Sequence, residues 1–242
     1  MTYKDDIQTI LSLFAGNKEG LFEIISKEIE SDEQLTTVLY NGYKGCVERM
    51  EYIKSCENYS LSADAQDTFE MLNHNKDIYN FYGCLAINEM EFYAAIRNML
   101  RSESYWDYSV SVRRAYTLIH EIKLNVSKLF GNNGWTRLTR SLHEDERKNL
   151  GRIKSEIETF HKRDKIGLAI EEIRNKTEAH KDPDFILQVE LIEAISAKES
   201  WDIIFAFSDI FKRLMSAVTF ILNALERDIQ EFCKEHPSES NQ

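Results

Sequence analysis

Asp77-Ile78-Tyr79-Asn80-Phe81-Tyr82-Gly83-Cys84-Leu85-Ala86-Ile87-Asn88-Glu89-Met90-Glu91-Phe92-Tyr93-Ala94-Ala95-Ile96-Arg97-Asn98-Met99-Leu100-Arg101 is the stretch that decides the fold. Ile78, Phe81, Tyr82, Leu85, Ala86, Met90, Phe92, Tyr93, Ile96 and Leu100 spread apolar surface around most of a helical wheel. A helix with so little polar circumference must be enclosed by others. The segment therefore predicts the central member of a helical bundle.

The flanking sequence supplies the enclosing helices. After the break Ser102-Glu103-Ser104, apolar residues from Val110 to Leu129 predict a helix over about 106–130, ended by the turn Gly131-Asn132-Asn133-Gly134. Two charged amphipathic helices are expected near 138–161 and 164–180, the second capped by Asp164 and stopped at Asp182-Pro183. A shorter segment follows, and a last helix is predicted from Trp201, with Ser200 as cap, to about Cys233. Upstream, the pattern predicts helices over about 4–14, around Leu21–Ile29, from a capping signal at Ser31 to about Cys56, and over 63–72. Polar breaks are expected at Asn58–Ser62 and at Asn73-His74-Asn75. Gly42 and Gly45 inside the third of these helices suggest a close helix crossing, with a kink as the alternative.

Composition agrees with an all-α, multi-helix up-and-down bundle. Nine glycines and two prolines in 242 residues are too few for the turns of a β-sandwich or barrel. No long uncharged apolar run and no secretory pattern at Met1-Thr2-Tyr3-Lys4-Asp5-Asp6 is present, so a cytoplasmic protein without a membrane partner is expected. Cys46, Cys56, Cys84 and Cys233 contain no Cys-x-x-Cys pair, which argues against a zinc knuckle or redox motif. The net charge of −11 argues against nonspecific binding along a phosphate backbone. Residues 1–72 carry most of it, with 14 acidic and 6 basic residues, and are expected to form an acidic helical extension packed on a main bundle of residues 73–235. Residues 236–242 are expected to be a disordered tail.

Chemistry concentrates at Arg174-Asn175-Lys176-Thr177-Glu178-Ala179-His180-Lys181, at the end of a predicted helix. The Arg-to-His spacing recurs at Arg113 and Arg114 to His120 and at Arg137 to His143, but only Arg174 is followed by a carboxamide. With Asn175 in second place, the motif resembles the Arg-x(4–6)-His signature of the HEPN superfamily (higher eukaryotes and prokaryotes nucleotide-binding). Its context before a long amphipathic last helix is similar to bacterial members related to abortive infection. The resemblance covers about ten residues in motif and residues 75–233 in helical layout.

The resemblance implies a HEPN-like bundle, a homodimer, and a metal-independent endoribonuclease in a toxin or phage-defence role, possessing no cofactor and restrained by an antitoxin or another protein partner. Arg174 would hold the scissile phosphate, His180 would transfer the proton and Asn175 would position the RNA, with Lys176 and Lys181 as substrate-binding residues. The chemistry suits these types. Cleavage by the 2′-hydroxyl needs an acid or base titrating near neutrality and planar cationic donors for a crowded phosphorane. Six residues at about 100° each leave Arg174 and His180 about 120° apart on an ideal helix, so convergence requires a frayed last turn, long-side-chain reach or a second protomer.

Two other readings use the same residues. One is a non-catalytic module of this kind that senses nucleotides or binds a protein. In the other, Arg174 pairs with Glu171, Glu178 or the aspartates beyond the stop while His180 and Lys181 complement the helix dipole. Glu158-x-x-His161 is a single copy where a di-iron bundle needs two, so no metal is expected. His120 is expected at the edge of the core, His74 in solvent, and Trp106, Trp135 and Trp201 in the core.

Overall fold

A computed structural model describes residues 17–55, 63–131, 134–140, 142–162, 190 and 196–235. Among them there are six α-helices and no strand: α1 (Lys18–Ser55), α2 (Ala63–Arg101), α3 (Tyr105–Leu129), α4 (Gly134–Leu138), α5 (Glu144–Thr159) and α6 (Ala197–Glu235). A 3₁₀ turn, Phe160–Lys162, follows α5. The protein is an all-α helical bundle.

The segment that decides the fold is the C-terminal two thirds of α2, which packs against α1, α3, α4 and α6. Ile78, Leu85, Phe92, Met99 and Leu100 are completely buried. Each such side chain contributes roughly 1.5–3 kcal/mol on leaving water. Phe92 meets Phe207 edge-on at 5.6 Å and Phe211 at 6.5 Å, joining α2 to α6, and Phe160 reaches Phe207 at 5.3 Å. Buried polar groups tie the same helices: Tyr116 Oη donates to Ser200 Oγ at 3.3 Å, and Tyr108 Oη to the carbonyl of Ala197 at 3.3 Å. Across the surface, Arg213 of α6 grips Glu156 of α5 through both oxygens, at 2.6 and 3.3 Å.

Several expected boundaries are moved by packing. α1 runs unbroken through Ser31, where a new start was expected, and α2 runs unbroken through Asn73-His74-Asn75. The expected limit between extension and bundle, at 72/73, falls inside α2. α5 begins at Glu144 rather than near 138, because residues 134–138 form the separate helix α4 and His143 holds the N-cap. α6 begins at Ala197, with Ser196 Oγ accepting from the Glu199 amide at 3.3 Å; Ser200, expected as the cap, lies buried inside the helix and donates to the Ser196 carbonyl. Ser104, in the break before it, caps α3, its Oγ accepting from the Asp107 amide at 3.1 Å. Trp201 is buried as expected and Trp135 packs against the core, but Trp106 is 51% exposed. The helices expected over 4–14 and 164–180, the segment before the last helix, and the tail lie outside the described residues.

α1 and α2 form a long antiparallel pair. Phe22 lies under the Arg101 guanidinium, Gly42 under the ring of Tyr79, and Phe69 under the Lys54 ammonium, so partners descend α2 as α1 ascends. The buried residues of α1, Ile25, Asp32, Leu39 and Cys46, recur every seventh position. That period is the seam of a coiled coil. A Cβ on Gly42 would stand 2.6 Å from Tyr79 ring carbons, whereas one on Gly45 would meet nothing within 4 Å. Close crossing is thus the work of Gly42 alone.

Candidate functional site

Arg174, Asn175, Lys176, His180 and Lys181 all lie outside the described residues, in the chain between the 3₁₀ turn and α6. The competing copies of the spacing are described, and their members are employed in the fold. Arg114 pairs with Glu91 at 2.7 Å, joining α3 to α2. Arg113 Nε donates to the Ser109 carbonyl at 3.3 Å within α3. Arg137 pairs with Asp77 at 2.7 Å, pinning α4 to α2. His143 sits at the N-cap of α5, its backbone amide donating to Glu146 Oε2 at 2.9 Å. Glu158, the carboxylate of the single Glu-x-x-His, is bound by Lys154 at 2.9 Å and Ser127 at 3.2 Å. No group of metal-ligating side chains occurs among the described residues.

A cleft lies where α2 faces the turn after α4. It is a cavity of about 370 Å³ lined by Asp67, Glu70, Met71, His74, Asn75 and Arg140. Asp67, Glu70, Met71 and His74 form one stripe because they follow the three- and four-residue spacing of a helix face. Asn75 is 3% exposed and its Oδ1 has no hydrogen-bond partner, and His74 is half-buried rather than in solvent. Arg140 is held opposite by its backbone. The Arg137–Asp77 pair anchors the preceding turn, and the Arg147 guanidinium donates to the carbonyls of Thr139 and Leu142, at 2.9 and 3.5 Å, on either side.

The second polar concentration lies in the α1–α2 seam. The antiparallel register sets Asp32 level with Glu89, 7% and 8% exposed, with Glu28 and Tyr93 one turn further along. Burial, and next the Glu28 charge, push the Asp32 carboxyl up to about 6. Burial does more to Glu89: with Asp32 and Glu28 adding repulsion, its carboxyl is pushed up to about 8, against the opposing pull of the Tyr93 hydroxyl and Lys212. The seam therefore favours the neutral, protonated form of Glu89. Asp32 Oδ2 has no hydrogen-bond partner. Both carboxyls lie between the two helices, so their charge state acts on the pairing of α1 with α2.

Sequence reasoning missed Asn75, Arg140, Asp32 and Glu89. The available signal was recurrence: Asp32 stands seven residues from Ile25 and Leu39, and Asn75 and Glu89 stand seven residues either side of Tyr82. Arg140 carries no such mark. Compared with known proteins, the chain matches no family model, no curated protein and no solved structure. No described helix is long and apolar enough to cross a membrane.

Proposed function

We propose that the chain is a HEPN-like, metal-independent endoribonuclease in a toxin or phage-defence role. Arg174 binds the scissile phosphate, His180 transfers the proton and Asn175 positions the RNA, with Lys176 and Lys181 adding contacts to the backbone. What supports the reading is the carboxamide directly after Arg174, which sets this copy of the Arg-to-His spacing apart from those that begin at Arg113, Arg114 and Arg137; of these, Arg114 and Arg137 serve ion pairs and His143 stands at a helix cap. The all-α bundle and the long amphipathic α6 that follows the motif are compatible with it.

The proposed chemistry fixes the products. Attack by the 2′-hydroxyl leaves a 2′,3′-cyclic phosphate on one fragment and a free 5′-hydroxyl on the other. Labelled RNA incubated with the full chain should yield those ends. Of the ways to close the 120° offset between Arg174 and His180, the reading takes a second protomer. Mixing Arg174→Ala with His180→Ala chains should then restore part of the activity that each lacks. Fragments ending in a 3′-hydroxyl would contradict the mechanism, and a folded chain that cleaves no RNA across a broad panel would leave the non-catalytic module.

A further inference from the structure

We propose that α1 is a proton-controlled arm: it stays zipped to α2 while the Asp32–Glu89 layer is neutral, and separates as the layer ionises, with the rest of the bundle still folded. The attachment of α1 makes such a local opening feasible. Among the described helices α1 packs on α2, whereas α2 also packs on α3, α4 and α6. Four of the 38 residues of α1 are buried, Ile25, Asp32, Leu39 and Cys46, and one of those four carries a carboxyl. Leu21, Ile29 and Leu35 add partly buried contacts. A helix held along one face by so few buried side chains opens at lower cost than the whole fold.

The layer sets acid against acid. Asp32 of α1 and Glu89 of α2 face each other at one level of the seam, and Glu28, one turn away on α1, adds a third carboxyl. Around them stand the hydroxyls of Tyr82 and Tyr93 on α2 and, from α6, the Lys212 ammonium, 5.8 Å from the Tyr93 ring. Neutral carboxyls tolerate that burial, but facing carboxylates repel each other and lose their hydration. Separation returns both to water, and Asp32 Oδ2, unbonded in the seam, gains hydrogen bonds there. Burial raises the proton affinity of both carboxyls in the paired helices, so pairing takes up protons that the separated arm releases, and rising pH opens the arm. The contacts of α2 with α6 include apolar ones, Phe92 on Phe207 and Phe211, that do not change with the charge of the seam. Opening therefore bares Tyr79 and Tyr93 on the freed side of α2 without loosening its other side.

Amide hydrogen exchange of the full chain, resolved by peptide and corrected for the intrinsic pH dependence of exchange, tests this. Between about pH 6 and about pH 8, protection of the α1 amides should fall by about tenfold or more, the scale set by release of one proton. Protection of α3 and α6 should stay level. A chain carrying both Asp32→Asn and Glu89→Gln, which keep size and stay neutral, should hold its α1 protection across the range, with far-ultraviolet dichroism confirming that it folds. The proposal is overturned if α1 in the wild type keeps its protection, if α3 and α6 lose theirs in the same proportion, or if the folded double variant loses α1 protection as the wild type does. Should the double variant not fold, the wild-type comparison of α1 with α3 and α6 decides alone.

Discussion

Asn75 shows what a single residue hides from a sequence reading. Within Asn73-His74-Asn75 it looks like part of a polar break, because three such residues in a row favour turns. In the fold, Leu72 and Ile78 on either side are buried at helical spacing, and the helix between them is held continuous by that burial. Tertiary packing outweighs the few tenths of a kcal/mol by which each polar residue disfavours a helix. Asn75 is thereby carried into the interior with an unsatisfied Oδ1. Its replacement by leucine should raise the stability of the protein by roughly 1 kcal/mol, since an orphaned acceptor disappears and apolar volume replaces it. Urea unfolding monitored by dichroism checks this; a lower midpoint in Asn75→Leu would mean that the carboxamide has a stabilising partner.

The α1–α2 pair is the element whose sequence reading was partly right. Helical character was legible from the apolar spacing, and a close crossing from the glycines; the unbroken length was not, because Ser31 carries a capping signal that acts only where the chain leaves the helix. Structure separates the two glycines. Gly42→Ala drives a methyl into the Tyr79 ring and should cost about 1–3 kcal/mol, whereas Gly45→Ala meets open space and should gain about 0.5–1 kcal/mol in helix propensity. Thermal unfolding of the two variants should move in opposite directions.

The same seam sets a pH dependence. Both Asp32 and Glu89 hold their protons more tightly folded than at their ordinary values of 3.8 and 4.5. Their contribution to stability is therefore fully present below those values and is lost as pH rises through about 6 for Asp32 and about 8 for Glu89. Glu89→Gln keeps the neutral form at every pH. Its stability relative to wild type should grow as pH rises from the ordinary value of 4.5 to about 8 and level off above that, and denaturant titrations across that range measure the difference. A difference that stays flat would place Glu89 in a better solvated setting than the seam provides.

For the whole molecule, the class was plain from composition and periodicity: sparse glycine and proline and an α2 segment apolar on most sides leave only a helical bundle. The proposed site was read from Arg174-Asn175 and His180 through the residue types that phosphate chemistry requires, and it lies outside the described residues. The Asn75–Arg140 cleft was not, since it joins residues 65 positions apart in the chain. Periodicity reports which face of one helix is buried, and says nothing of which turn lies across from it. The net charge of −11 also bears on the whole: RNA would have to be engaged at local sites, so cleavage should depend on few side chains.

Metal-free RNA cleavage by Arg174 and His180 is the proposed activity. The direct measurement is the cleavage rate of labelled RNA in excess EDTA, for the wild-type chain and for Arg174→Ala and His180→Ala chains shown to be folded. The account predicts cleavage by the wild type and losses of about a hundredfold or more in each variant, the scale of a missing proton-transfer group or phosphate donor. Cleavage that stops when EDTA is added, or that persists undiminished in His180→Ala, would contradict it.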